Sequence, residues 1–208
     1  MVLDVLRERV DPLLSIFAKR FIKVHPNSLS LVSLIFSILA SLFFFFSNPS
    51  QERLNFFLCI GSALVFANGF FDAVDGKVAK MSKRSSPKGD FLDHVLDRYA
   101  DVFMVGGISL SPWCRAELGL LAMIGMLLTS YMGTQAQAVG YRRVYSGLLG
   151  RADRLVLLMI FPILQHAFLD VKPFGLSILE WLLVYFAIVG NLTAMQRFIK
   201  VMLWFKKG

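Results

Sequence analysis

Long apolar stretches separated by short polar segments dominate the sequence. A membrane-spanning helix needs roughly 20 predominantly apolar residues, and six stretches of the chain meet that requirement. They cover residues 28–47, 54–79, 91–112, 117–139, 152–171 and 175–203. Prolines stand next to several of the boundaries, as is typical of residues that begin or end helices. The pattern therefore predicts an all-α integral membrane protein with six transmembrane helices.

The residues before the first stretch follow a different pattern. Apolar residues recur there at steps of three and four, and most nearby Arg and Lys residues fall outside that stripe. The stripe consists of Leu3, Leu6, Val10, Leu13, Phe17 and Phe21. We expect an N-terminal amphipathic juxtamembrane helix within residues 1–24, followed by a six-helix domain over residues 25–208. This helix either lies in the membrane interface or packs against the rest of the protein.

The composition agrees with a membrane protein. Of the 208 residues, 56% are hydrophobic and 17% are charged, and the mean hydropathy is +0.63. Such a chain is too apolar for a surface that faces water. Cys59 and Cys114 lie in apolar surroundings, so we expect inert thiols rather than a disulfide framework or a zinc site.

The net charge of +8 has three possible explanations: nucleic acid, anionic lipid or a topology signal. Nineteen of the 22 Lys and Arg residues fall on one side of the six predicted spans, and only Arg53, Arg115 and Lys172 fall on the other. The positive-inside rule then places both termini in the cytoplasm. We therefore expect a multi-pass protein of the cell membrane. We expect no nucleic-acid partner, because the sequence lacks a solvated basic face with base-reading residues.

Acidic residues concentrate in the hairpin between the second and third predicted spans. Asp72 and Asp75 are three residues apart and Asp93 and Asp97 are four apart, so each pair projects from one face of its helix. Ionisable groups so close to hydrocarbon are costly and usually functional. Four carboxylates also repel each other unless cations lie among them, and Mg²⁺ or Mn²⁺ prefers such oxygen ligands. The hairpin therefore predicts a cytoplasmic two-metal site suited to phosphoryl transfer.

Other interpretations of the acids explain less of the pattern. A solvated charged hairpin would account for one or two of them through the helix dipole, but not for two helical rows. A cation transporter also uses intramembrane carboxylates, although its acids would lie nearer the midplane, often in two repeated halves. A structural assembly subunit leaves the carboxylates unexplained.

The hairpin also resembles a known signature. It reads Asp72-x2-Asp75-Gly76-x2-Ala79-Lys80-x8-Gly89-x3-Asp93-x3-Asp97. This resembles the signature of the CDP-alcohol phosphotransferase family (class I CDP-alcohol phosphatidyltransferases), with every spacing intact and Lys80 in place of the usual Arg. The resemblance implies a phospholipid-synthesising membrane transferase. Such an enzyme moves a substituted phosphate from a CDP-linked lipid, CDP-diacylglycerol or CDP-archaeol, to an alcohol and releases CMP. The resemblance also suggests a homodimer.

The resemblance implies roles for individual residues. It makes Asp72, Asp75, Asp93 and Asp97 the metal ligands, with Asp97 also the general base on the acceptor hydroxyl. A second set is expected to bind the CDP group: Asn27, Ser30, Asp75, Gly76, Ala79, Lys80, Ser82, Ser86 and Gly89. For Asn27 and Ser30, an ordinary helix N-cap region is an equally good explanation.

Basic residues near the ends of two predicted spans indicate which acceptor the enzyme uses. The segment Gly150-Arg151-Ala152-Asp153-Arg154-Leu155 and the pair Gln196-Arg197 resemble basic motifs of the family members that make phosphatidylinositol phosphate or archaetidylinositol phosphate. Gly133 and Gln135 stand where those members carry Lys and Arg. We expect Arg151, Arg154 and Arg197 to bind the phosphate of inositol 1-phosphate. Glycerol 3-phosphate, serine or another polar alcohol is the alternative acceptor, and topology signalling alone is another explanation of the arginines.

Three polar residues near the hairpin carry weaker expectations. Asn68 lies one turn before Asp72 and either reaches the site or bonds to a neighbouring helix. His94 points about 100° away from Asp93 around the helix, so we expect it at the membrane interface. Ser130 either lines the acceptor pocket or takes part in helix packing, and we expect the second.

Overall fold

Helices make up most of the described chain. The computed structural model describes residues 4–206, with side chains for residues 11–51 and 54–206. Its α-helices are Asp4–Arg20 (α1), Pro26–Phe46 (α2), Glu52–Asn55 (α3), Phe57–Met81 (α4), Pro87–Ser109 (α5), Ala116–Ala138 (α6), Arg151–Ala167 (α7) and Ile178–Phe205 (α8). Residues 4–206 contain no strand. The predicted all-α class is confirmed.

Six of these helices lie at the positions of the six predicted spans. Within the described range, α2, α4, α6 and α8 are long and apolar enough to cross a membrane. α5 has 23 residues but carries the acidic row, and α7 has only 17 residues. The predicted fifth stretch is too long at its end, because the chain leaves the helix at Phe168 and turns through Pro173–Gly175. Pro173 lacks a backbone N–H and disfavours helical geometry in the residue before it.

Helices α2 and α5 begin at prolines. Pro26 and Pro87 occupy the first turn of each helix, where the missing N–H removes no intrahelical hydrogen bond. The His25 ring caps α2 by accepting a backbone N–H at 3.3 Å. Ser86 caps α5 through its Oγ, which accepts a backbone N–H at 3.1 Å. These caps fix where each helix starts relative to the turn that precedes it.

The turn between α4 and α5 is short and closely bonded. Lys83 takes a left-handed φ of 56°, and the Arg84 N–H donates to the Ala79 carbonyl oxygen at 3.0 Å, which closes the end of α4. The turn therefore joins the two acid-bearing helices at one end of the bundle, and both helices pack against α2. We call the end of the bundle at which α4 ends and α5 begins the motif end.

The helices pack in two connected groups. α2 packs against α4 and α5, α4 also contacts α7, and α6 packs along α8. α6 and α8 approach closely because both carry glycine at the crossing: a Cβ on Gly190 would lie 2.9 Å from the carbonyl carbon of Gly125. Thr129 Oγ1 donates to the Gly190 carbonyl oxygen at 2.7 Å across the same contact. The largest fully buried apolar side chains include Phe44, Phe186, Leu58, Met104, Ile108 and Met126.

A polar contact joins α2 and α4 inside the bundle. Asn68 is fully buried, and its Nδ2 donates to the carbonyl oxygen and Oγ of Ser33 at 2.9 and 2.8 Å. Of the two expectations for Asn68, the structure supports the bond to a neighbouring helix.

α1 packs against α4. The Phe17 ring meets the Phe70 ring edge-on, with centroids 5.1 Å apart, Ala18 is fully buried, and Lys77 Nζ lies 2.6 Å from Asp11 Oδ2. Leu13 is 59% exposed, so α1 also presents apolar surface away from α4. Of the other residues in the predicted apolar stripe, Phe21 contacts Phe71. The side chains of Leu3, Leu6 and Val10 lie outside the part of the chain for which side chains are described.

Candidate active site

Carboxylates from α4 and α5 meet at the motif end. One oxygen from each of Asp72, Asp75 and Asp93 lies within 4.8 Å of the other two. Asp93 and Asp97 form a second such group with His94. A cluster of oxygen donors at this separation fits a hard divalent cation. The structure therefore brings together the four acids that the sequence singles out.

The first residue of α7 lies among these carboxylates. Arg151 Nη1 is 2.6 Å from Asp72 Oδ2, and Arg151 Nη2 is 2.8 Å from Asp97 Oδ1. One guanidinium thus joins α4, α5 and α7 and offsets part of the acidic charge. The sequence predicted an acceptor role for Arg151, and it gave no indication of these two ion pairs.

A buried ion pair lies one helical turn deeper in the bundle. Arg154 Nη2 and Asp101 Oδ2 are 2.7 Å apart, and both residues are 2% exposed. Arg98 Nη1 lies 3.3 Å from the same carboxylate oxygen. Because a buried charge without a partner is costly, this pair fixes α7 against α5.

A cavity of about 360 Å³ opens beside Asp75 and Asp93. Eight of the nine residues expected to bind the CDP group line it: Asn27, Ser30, Asp75, Gly76, Ala79, Lys80, Ser86 and Gly89. Ser30 Oγ donates to Asp75 Oδ2 at 2.6 Å, which ties α2 to the acids. The ninth, Ser82, is not among the described lining residues; its Oγ donates instead to the Val78 carbonyl oxygen at 2.7 Å. We call this space the donor cavity.

Several lining residues of the donor cavity were not predicted. They are Pro26, Arg84, Ser85, Asp90 and Tyr145. Arg84 is exposed and adds a second cation to Lys80 at the cavity wall. A Cβ on Gly76 would meet no atom within 4 Å, so the glycine leaves this part of the α4 backbone open to a ligand.

A second cavity, of about 120 Å³, is lined by Asp97 and by residues of α6, α7, α8 and the loop before α7. All three arginines expected at the acceptor line it: Arg151, Arg154 and Arg197. The Arg197 guanidinium donates to three backbone carbonyl oxygens at 2.6–3.0 Å. We call this space the acceptor cavity.

Three more basic residues line the acceptor cavity: His94, Arg98 and Arg143. The face of α5 that carries His94 turns toward the loop before α7, where the ring contacts Arg143. Arg98 contacts Ser130, which lines the cavity as well. The four-residue spacing of His94 and Arg98 is a sequence signal that could have identified a second functional face of α5.

The fold and the site together define a membrane-embedded transferase. Residues 23–200 match the model of the CDP-alcohol phosphatidyltransferase family. The chain belongs to this family, and it is a multi-pass membrane protein. The family and the enzyme class predicted from the sequence are confirmed, and the cation-transporter alternative is set aside.

The chain aligns over most of its length with several enzymes of known name. It is 28% identical to the archaetidylinositol phosphate synthase of Pyrococcus horikoshii, over 76% of this chain and 79% of the relative. It is 31% identical to the enzyme of the same name from Methanothermobacter thermautotrophicus, over 69% and 70% of the two chains. The fold matches the phosphatidylinositol phosphate synthase of Mycobacterium tuberculosis solved with manganese and citrate, with a TM-score of 0.72 and 20% identity over 91% and 88% of the chains. The same enzyme with CDP-DAG bound gives a TM-score of 0.70 and 20% identity over 91% and 94%.

Proposed function

We propose that this protein transfers the substituted phosphate of a CDP-linked lipid to inositol 1-phosphate and releases CMP. The observation that carries the proposal is the position of the carboxylates between two cavities. Asp93 lines the donor cavity and Asp97 lines the acceptor cavity, so a donor and an acceptor would meet at the same acids. The names of the relatives from Pyrococcus and Methanothermobacter support an inositol phosphate acceptor.

The donor cavity suits a CDP group. Lys80 and Arg84 are exposed cations at its wall and would pair with the diphosphate. Asn27 and Ser86 place polar side chains on the α2 and α5 sides of the same space. Its location at the motif end would leave the lipid tails of CDP-diacylglycerol or CDP-archaeol within the apolar part of the bundle. The fold relative from Mycobacterium tuberculosis, solved with CDP-DAG bound, supports this donor class.

Asp72, Asp75, Asp93 and Asp97 would hold two divalent cations, Mg²⁺ or Mn²⁺. The residues fit, because their carboxylate oxygens come from two facing helices and lie close enough to share ions, and Arg151 pairs with only two of the four acids. When bound, such ions neutralise the diphosphate and the charge that develops on the leaving CMP. The manganese in the fold relative is consistent with this choice of metal.

Asp97 is the proposed general base. Its Oδ1 is held by Arg151 at 2.8 Å, so the carboxylate has a fixed orientation toward the acceptor cavity. The acceptor hydroxyl oxygen forms a bond to the phosphorus that carries the lipid, and its proton passes to Asp97. The bond between that phosphorus and the bridging oxygen of CMP breaks, and CMP leaves with the electron pair.

The membrane arrangement is part of the proposal. α5 and α7 would complete six spans, with residues 1–24 as a juxtamembrane helix and residues 25–208 as the catalytic domain. The uneven distribution of Lys and Arg supports cytoplasmic termini and a cytoplasmic active site in the plasma membrane. Contact with membrane lipid follows from this arrangement, and a homodimer is proposed on the family resemblance alone.

Parallel assays with four acceptors test the proposal. Purified protein with Mg²⁺ or Mn²⁺ and a CDP-lipid is given inositol 1-phosphate, glycerol 3-phosphate, serine or inositol, and CMP release is measured. We expect the fastest release with inositol 1-phosphate. Faster release with glycerol 3-phosphate would move the assignment to that acceptor, and equal release with inositol would contradict a phosphorylated acceptor. No CMP with any acceptor would contradict the transferase itself.

A further inference from the structure

The loop between α6 and α7, residues 139–150, forms one wall of the acceptor cavity and is held firmly in place. A Cβ on Gly133 of α6 would lie 2.8 Å from the Val144 carbonyl oxygen, so the loop and the helix touch backbone to backbone. Arg197 of α8 holds the two following residues through their carbonyl oxygens, at 2.9 and 3.0 Å. Three consecutive loop residues are thus fixed by α6 and α8.

This fixed loop brings Arg143 into the acceptor cavity. Arg143 is half-buried and lines the cavity. Its guanidinium contacts the His94 ring and lies 5.2 Å from the centroid of the Tyr145 ring. Both rings orient the guanidinium, but neither supplies a formal negative charge.

Arg143 differs from the other arginines of the acceptor cavity in what its guanidinium binds. Arg151 pairs with Asp72 and Asp97, while Arg98 and Arg154 share Asp101. The Arg197 guanidinium donates its hydrogen bonds to backbone carbonyl oxygens. Among the residues whose side chains are described, Arg143 has neither a carboxylate within 4.0 Å nor a backbone carbonyl as acceptor.

This arrangement favours an anion in the cavity. A half-buried cation near other cations is costly until an anion joins it, and a guanidinium binds phosphate through paired hydrogen bonds. The α6 side of the cavity contributes no cation of its own, because its lining residues are Thr129, Ser130 and Gly133. Gly133 also has no room for a longer side chain. The loop therefore adds one cation, Arg143, to the arginines that α5, α7 and α8 contribute to the cavity.

We propose that Arg143 binds the phosphate monoester of the acceptor and sets the preference of the enzyme for phosphorylated over neutral alcohols. This inference rests on the proposed function, since it assigns a specificity residue to the same reaction. The neighbouring Arg142 is exposed and does not line the acceptor cavity in the described structure, so it provides a matched control one residue away.

Steady-state kinetics of three variants test the proposal. We expect Arg143→Gln to raise the KM for inositol 1-phosphate about tenfold or more and to leave the KM for the CDP-lipid within about twofold. Arg143→Lys keeps the charge but loses the planar guanidinium. Its KM for inositol 1-phosphate should lie between those of the wild type and Arg143→Gln. Arg142→Gln should behave like the wild type. An unchanged KM for inositol 1-phosphate in Arg143→Gln, or an equal rise in the KM of both substrates, would overturn the proposal.

A binding measurement separates this proposal from the proposed function. Inorganic phosphate at millimolar concentration should raise the Tm of the full-length wild-type protein and of Arg142→Gln by the same amount, and that of Arg143→Gln by less. This result would support the phosphate site even if no acceptor yields CMP. An equal rise in Tm for Arg143→Gln and the wild type would contradict the site even if the enzyme is active with inositol 1-phosphate.

Discussion

The guanidinium of Arg151 lies 2.8 Å from a carboxylate oxygen of Asp97. This ion pair connects the first residue of α7 to the acidic row of α5, and the same guanidinium reaches Asp72 on α4 at 2.6 Å. The proposed base is therefore positioned by a helix that does not belong to the acidic hairpin. The pair also gives the acids a counter-charge from the protein itself.

Replacement of Arg151 should affect both activity and the response to metal. We expect Arg151→Gln to lower kcat about 100-fold, because a base that moves by about an ångström loses its alignment with the acceptor hydroxyl. In EDTA, the variant should have a lower Tm than the wild type, because Asp72 and Asp97 have lost their shared cationic partner. Mg²⁺ should then raise the Tm of the variant more than that of the wild type. Equal Mg²⁺ increments in both proteins would contradict the charge-balancing role.

The buried pair of Asp101 and Arg154 should matter for stability. Asp101→Asn leaves Arg154 without its charged partner at 2% exposure, at an expected cost of about 3 to 5 kcal/mol. Replacement of both residues by Leu should recover part of this loss, because neither member of the pair is then left buried without its partner. Thermal unfolding in detergent measures both effects, with Glu117→Gln, an exposed change on α6, as the control. A double variant less stable than Asp101→Asn would argue against this explanation.

Lys80 should act on the donor alone. It is an exposed cation at the wall of the donor cavity, and we expect Lys80→Gln to raise the KM for the CDP-lipid about tenfold with an unchanged KM for the acceptor. Lys80→Arg should keep or improve donor binding, because a guanidinium adds a second parallel hydrogen bond to phosphate. Lys88→Gln is the matched control, since Lys88 is exposed but does not line the cavity in the described structure. A rise in the acceptor KM instead would show that Lys80 has another role.

Position 133 should not tolerate even the smallest side chain, that of alanine. A Cβ there would lie 2.8 Å from the Val144 carbonyl oxygen and 3.0 Å from Arg197 Nη1, so Gly133→Ala must displace the loop or the arginine. We expect a higher KM for the acceptor and an unchanged KM for the donor. Gly106→Ala is the control, because its Cβ would meet no atom within 4 Å and alanine favours helix. Similar kinetics in the two variants would contradict the packing of the loop against α6.

The sequence predicts the parts of this protein that local rules determine. Apolar stretches locate the long helices because a span requires a minimum length of apolar chain. Spacings of three and four locate Asp72, Asp75, Asp93 and Asp97 because helical geometry alone brings such residues to one face. Eight of the nine expected CDP-binding residues line one cavity for the same reason, since most belong to a single helical hairpin.

Contacts that depend on tertiary packing could not be predicted from the sequence. Arg151 reaches Asp72 only because α7 packs on α4, and no local pattern reports that contact. Arg143 lies in an irregular loop whose path depends on the glycine at position 133 and on Arg197. The contact of His94 with Arg143 could not be predicted, because the angle around a helix identifies a face but not what packs against that face. Ser82 bonds to its own helix end, which a sequence match does not distinguish from ligand binding.

The most direct test of the central claim is metal-dependent CMP release by the wild type and by Asp97→Asn, with a CDP-lipid and inositol 1-phosphate in the same detergent. We predict release by the wild type that disappears in EDTA. We also predict a loss of about a thousandfold in Asp97→Asn, within the range for a lost general base. Glu117→Gln should retain full activity, and Asp97→Asn should remain folded in Mg²⁺, as shown by a cooperative thermal transition. CMP release by Asp97→Asn at the wild-type rate would contradict the mechanism.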